Sequence, residues 1–278
     1  MKFLKKFSKA VQDSINANDI IPIFGLPGSG KTFFISSLSK WIFNRVNDQS
    51  EIIIEGQEHL NELLLEYGFI EIDPSTRCVK SNISPTQEGE SHDVLLRIPS
   101  STIKDLDEDL YIFTRDAPGE ILNNNVDVFE SMLKKINGLI FLIDIFRDDP
   151  EQTTINWSLV HNDARKTLKA IARIMDNIDE FTPIAFVITK ADRRHVFEEF
   201  SKIGDSDEDK KKVKRNVQLI RKKVKQAYTT LIKQRNVGVF FHSSIGDYID
   251  FEEAFDNNKE FPCPYGIENI LKHCIIHQ

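Results

Sequence analysis

An apolar run, Ile20-Ile21-Pro22-Ile23-Phe24, leads directly into Gly25-Leu26-Pro27-Gly28-Ser29-Gly30-Lys31-Thr32, and a segment of helical character follows. This is the pattern G-x-x-x-x-G-K-[ST] in the strand-then-helix context that it requires. Few folds can accommodate it. The glycines let the backbone wrap an anion and aim successive N–H groups at it. The helix behind adds the positive end of its dipole. In such a loop Gly25, Gly28, Ser29 and Gly30 shape a phosphate cradle, Lys31 sits against the outer phosphates, and the Thr32 hydroxyl binds Mg²⁺. Pro27 stiffens the loop and removes one N–H donor.

The rest of the chain alternates strand-like and helix-like segments, as expected of an α/β protein with a mostly parallel sheet and helices on both faces. Six strands are predicted, at Ile20–Phe24, His92–Ile98, Leu110–Thr114, Leu139–Asp144, Ile184–Thr189 and Val237–His242. Several are continuous apolar runs, which suits strands covered on both sides. Trp157, Val160, Ala164, Leu168, Ile171, Met175 and Ile178 form one helical stripe, and Val213, Val217, Ile220, Val224, Tyr228 and Leu231 form another. Thr32–Phe43 and Gly266–Ile276 are predicted as opening and closing helices. Residues 48–82 interrupt the alternation as an acidic insertion, with a helix expected near Glu58–Tyr67. The domain plan is an amphipathic helix over 1–17 and one α/β domain over 18–278.

Three further segments carry chemistry, each at the end of a predicted strand. Asp116-Ala117-Pro118-Gly119-Glu120 follows LYIFTR; an acid there can hold a Mg²⁺ shell, and Gly119 can offer its N–H to a terminal phosphate. Thr189-Lys190-Ala191-Asp192 follows PIAFVI. The Asp192 carboxylate can accept from the ring N–H and exocyclic amine of guanine, whereas adenine would leave it unpaired. Phe241-His242-Ser243-Ser244-Ile245 ends the last strand, where the Ser244 N–H can face the guanine oxygen and Ser243 lies beside it. Asp144, ending Leu139–Ile143, is a rival metal ligand, and if it holds the metal the ligand is ATP.

In this order the four segments resemble the GTPase superfamily of P-loop proteins, over roughly residues 18–278. The resemblance implies a three-layer P-loop GTPase fold with a six-stranded sheet and the ligand at the carboxyl ends of the strands. It implies GTP and GDP as ligands with Mg²⁺ as cofactor. Phosphate contacts would come from Gly28–Thr32, metal contacts from Thr32, Thr86 and Asp116, and guanine contacts from Thr189, Lys190, Asp192, Ser243 and Ser244. Thr86 is the best-placed switch threonine, with Thr76 as the other candidate. Lys31, Thr86, Gly119 and Glu120 would serve the attack of water on the γ-phosphoryl. Glu120 stands where many family members carry Gln, and it either orients the water or repels the phosphate and slows turnover. Arg77, Arg97 and Arg115 are the conceivable internal arginine fingers. More narrowly, the GLPGSGKT loop, DAPGE and the closing GIENILKHCI look similar to the double-GTPase families of bacterial conflict and defence operons. That implies a protein partner, another GTPase or an effector encoded nearby. The functional expectation is a GTP switch with slow hydrolysis, set against a GTP-dependent scaffold or an ATPase subunit.

Charge and composition narrow the setting. The net charge is −7, with eight acids and no Lys or Arg over residues 48–74 and nine bases and no acid over 210–225. A net acidic chain argues against general nucleic-acid binding but leaves local docking faces. Residues 51–120 hold 16 acids against five bases, so the expected partner for that side is basic. Three cysteines are too few and too scattered for a disulfide framework. With no secretory signal or membrane-length apolar run, a cytoplasmic protein is expected. Phe3, Phe7, Ala10, Val11 and Ile15 give residues 1–15 an apolar stripe among lysines. Packing on the domain itself is the favoured reading, membrane contact or partner docking the other.

Overall fold

A computed structural model describes residues 20–26, 28–46, 52–68, 71–72, 79–80, 92–103, 108–116, 136–145, 155–170, 176, 178–191, 207–229, 236–244 and 266–275. The expected N-terminal helix lies outside these residues. In chain order the elements are β1 (Ile20–Gly25), α1 (Lys31–Phe43), β2 (Ile53–Glu55), α2 (Gln57–Gly68), β3 (Glu71–Ile72), β4 (Val79–Lys80), β5 (His92–Ile98), β6 (Leu110–Asp116), β7 (Leu139–Ile143), α3 (Trp157–Ala170), β8 (Ile184–Ile188), α4 (Asp207–Thr229), β9 (Val237–Phe241) and α5 (Ile267–Ile275).

All six predicted strands join one sheet, and β2 adds a short seventh at its edge, in the order β2-β5-β6-β1-β7-β8-β9. The pairs β1–β6, β1–β7, β7–β8 and β8–β9 are parallel. In this sheet only the pairs β2–β5 and β5–β6 are antiparallel, so β5 alone runs against the other strands. The fold class is therefore the expected mostly parallel α/β sheet. The acidic insertion supplies β2, α2 and a small β3–β4 hairpin.

The apolar strands carry two cores because successive side chains point to opposite faces. Phe24, Phe141, Ile143, Phe186 and Ile188 face Val160, Ala164 and Leu168 of α3 and Val224, Ala227 and Tyr228 of α4. Ile21, Ile23, Leu142, Ala185 and Val187 face Phe34, Ile35 and Leu38 of α1 and Ile267, Ile270 and Leu271 of α5. Each buried Val, Leu, Ile or Phe among these stabilises the fold by about 1.5–3 kcal/mol. Three serines are also fully buried on α1. Ser36, Ser37 and Ser39 donate to the carbonyls of Thr32, Phe34 and Ile35 at 2.9, 2.9 and 2.8 Å, so their hydroxyls are satisfied within the helix.

Candidate functional site

Because β1, β6, β7, β8 and β9 run the same way, their carboxyl ends share one edge of the sheet. There β1 hands over to the phosphate-loop segment. Gly25, the last residue of β1, has no room for a side chain: a Cβ would lie 2.2 Å from Ser29 Oγ and 3.2 Å from Leu142 Cβ. Ser29 N–H donates to Leu26 O at 3.0 Å and closes the turn. Gly30 caps α1 with φ +82, a left-handed conformation costly for other residues. No side chain caps this end of α1, so its first N–H groups and its dipole are directed at the loop. Lys31 Nζ donates back to Gly25 O at 3.2 Å, and Thr32 follows in the first turn.

The segment after β8 is fastened onto this loop. Thr189, 3% exposed, donates its hydroxyl to Ser29 O at 2.7 Å, with Ile143 O at 3.3 Å as a second acceptor. Lys190 donates to Gly28 O at 2.8 Å and to the Asp144 carboxylate at 2.5 Å. Asp144 is 3% exposed, and Lys190 29%. Lys190 adopts φ +57, the one left-handed non-glycine among the described residues. Such strain costs about 1–3 kcal/mol and persists where the surroundings over-determine it; here the two contacts of the ammonium do so.

The fourth segment is tied to the third through the backbone. His242 N–H donates to Ile188 O at 2.8 Å, and Ala191 N–H donates to His242 O at 3.1 Å. Ser243 is buried, and Ser244 lies half-buried beyond it. Asp116 ends β6, the direct neighbour of β1, opposite His92 of β5; its side chain lies outside the described residues. So do Thr76, Thr86, Gly119, Glu120, Asp192, Arg77 and Arg115.

Two alternatives raised by the sequence change standing. The Asp144 carboxylate is held by the Lys190 ammonium, an ion pair that a metal ligand would have to surrender. Arg97 sits near the start of β6, paired with Asp109 at 2.6 Å, at the opposite end of the sheet from the phosphate loop. Burial pushes the Asp109 carboxyl up, but hydrogen bonds from Ser100 N–H and the Arg97 guanidinium outweigh it, and the carboxyl lies below its ordinary range.

Sequence reasoning missed the polar layer beneath the loop. A cavity of about 10 Å³, the room of about one water, is lined by Leu26, Ser29, Leu142, Asp144, Asp163 and Tyr228 among others. Burial and the nearby Asp163 charge push the Tyr228 phenol far up, against a hydrogen bond with Thr167. It also missed His242, a fully buried ring bonded to α1. The one available signal for both was polar residues set into otherwise apolar periodic segments.

The phosphate loop, the Thr189–Lys190 segment and the His242–Ser244 segment thus meet at one edge of a mostly parallel sheet. The fold is a mostly parallel α/β sheet with a glycine-rich strand-to-helix turn at its carboxyl edge.

No protein-family model matches the sequence, and no curated protein matches it. Among solved structures it is similar to a GTP-binding protein from Sulfolobus solfataricus in complex with GDP, at 15% identity and TM-score 0.38, over 84% of this chain and 49% of that one. The chain thus spans about half the length of that protein. It is also similar to a chain of the signal recognition particle receptor SRb-GTP/SRX complex from Chaetomium thermophilum, at 12% identity and TM-score 0.40, over 83% and 92% of the two chains. A third is the ADP-ribosylation-factor-like protein and small COPII coat GTPase SAR1 from Encephalitozoon cuniculi with GDP, at 11% identity and TM-score 0.39, over 96% and 85%. Among the described residues no helix is long and apolar enough to cross a membrane.

Proposed function

We infer that the chain is a guanine-nucleotide switch that binds GTP and GDP, hydrolyses GTP slowly and controls a protein partner. The observation that carries this is the fastening of Thr189 and Lys190 onto the Ser29 and Gly28 carbonyls. It joins the segment suited to reading guanine to the segment suited to holding phosphates, so one nucleotide can span both.

Gly28 to Thr32 hold the phosphates through backbone N–H groups and Lys31. Asp192 accepts from the base, and the Ser244 N–H meets its oxygen. Thr32 in the first turn of α1 and the acid that ends the adjacent strand β6 are oxygen donors of the kind that Mg²⁺ takes. Thr32, Thr86 and Asp116 would hold it, and it would neutralise charge developing on the phosphates. Glu120 orients the attacking water, and positioning supplies most of the rate. Thr86 and Gly119 sense the γ-phosphate, and loss of those contacts on hydrolysis releases the segments around Thr86 and Glu120. The acidic side spanning residues 51–120 faces a basic partner, for which an effector or second GTPase encoded nearby is the candidate.

The test is Asp192→Asn. An amide presents a donor where the carboxylate only accepts, so preference should move from guanine to xanthine nucleotides. GTP affinity equal to that of the unmodified chain would remove Asp192 from base recognition.

A further inference from the structure

His242 is a fully buried ring in a place that the nucleotide chemistry leaves unused. Its Nε2 lies 3.2 Å from Ser37 Oγ on α1 and 3.1 Å from Ser244 Oγ, two residues on. The ring stands edge-on to Phe34 of the same helix, at 4.7 Å between centroids. Proton accounting fixes the direction of these bonds. The Ser37 hydroxyl donates its one proton to Phe34 O, so its oxygen is an acceptor toward the ring. Nε2 therefore carries the hydrogen and shares it between the two serine oxygens. The backbone of His242 is meanwhile held by Ile188 O and Ala191 N–H.

One residue thus joins three parts of the site: α1 behind the phosphate loop, the turn after β8, and the loop after β9. The ring reaches a helix 205 positions away and contacts Ser244 Oγ, the residue whose N–H the guanine assignment gives to the 6-oxo group.

We propose that His242, braced by Ser37, is a positioning residue for base selection: it fixes Ser244 so that the loop after β9 reads the 6-oxo group. The proposal rests on the guanine-nucleotide assignment above.

It is tested on the purified full chain by displacement of a fluorescent GDP analogue with GDP, 6-thio-GDP and ADP. The thio analogue keeps the ring N–H and 2-amino group that Asp192 would read and weakens only the acceptor at position 6. The unmodified chain should prefer GDP over 6-thio-GDP by about 5–10-fold, the worth of one neutral hydrogen bond. His242→Ala should reduce that preference to within about twofold, with Ser37→Ala and His242→Gln in between. The preference for GDP over ADP, owed to Asp192, should persist in all three. Leu168→Ala, a distant core truncation, should lower Tm and leave the thio ratio alone. If His242→Ala fails to fold, Ser37→Ala decides. A thio ratio unchanged in the variants that fold overturns the proposal while the guanine assignment stands. Equal binding of GDP and ADP by the unmodified chain overturns both.

Discussion

Replacing Lys190 by Met keeps the side-chain length but removes the ammonium whose contacts hold this residue left-handed. The Asp144 carboxylate, 3% exposed, then loses a charge partner at 2.5 Å, and Gly28 O loses a donor at 2.8 Å. Breaking a buried pair by deleting one member costs about 3–5 kcal/mol. Lys190 is 29% exposed, so water recovers part of this and about 2–3 kcal/mol remains. For a chain of this size that corresponds to a Tm lower by about 4–12 °C. Asp144→Asn should cost only about 1 kcal/mol, because Lys190 keeps Gly28 O and can turn to solvent. In the double variant the neutral amide no longer needs the ammonium, so its cost should fall below the sum of the singles by about 1–2 kcal/mol. Urea unfolding of the four proteins measures the cycle. Additivity within about 0.5 kcal/mol would refute the idea that this pair is coupled in the fold. The same Asp144→Asn protein should bind nucleotide with unchanged dependence on Mg²⁺, and loss of that dependence would make Asp144 the metal ligand.

Gly25→Ala should weaken nucleotide binding at least about tenfold and destabilise by about 1–3 kcal/mol, since its Cβ meets Ser29 Oγ and Leu142; calorimetric titration with GDP and a thermal melt read the two effects. Asp109→Asn should cost about 0.5–1 kcal/mol at pH 7 and flatten the acid limb of stability. The carboxyl is held below its ordinary range in the fold, so its contribution is full above that range and fades as the pH falls through it. A pH series of melts down to about pH 3 checks this, and an acid limb identical in both proteins would count against it. Cys274 is buried, and burial pushes its thiol up to about 12. In a Cys78→Ser, Cys263→Ser background it should resist alkylation at pH 8 until urea unfolds the chain; fast labelling of the native protein would contradict its burial.

How far the sequence reveals the fold can be followed at the strand ends. His92–Ile98 is predicted and observed with the same bounds. The predictions Leu139–Asp144, Ile184–Thr189 and Val237–His242 each run one residue past the observed strand. Thr189 and His242 still donate their backbone N–H to Ile143 O and Ile188 O of the neighbouring strands, but the side chains of all three residues bond across the site, which strand periodicity cannot express. The helix of the insertion is legible from Leu60, Leu63 and Leu64 among acids. Strand β2 is not, because three residues are too few for a pattern and their pairing with β5 is a long-range choice. The phosphate loop is legible because its glycines answer a local backbone demand. The Lys190–Asp144 and Ser37–His242 contacts are not, because each joins residues whose proximity depends on the finished sheet.

The central claim is that this site holds a guanine nucleotide, and competition between GDP and ADP for one fluorescent analogue on the purified chain tests it most directly. A carboxylate reading the ring N–H and amine rejects adenine strongly, so GDP should displace the analogue at a concentration at least about 100-fold lower than ADP. Displacement by both at the same concentration would contradict the account.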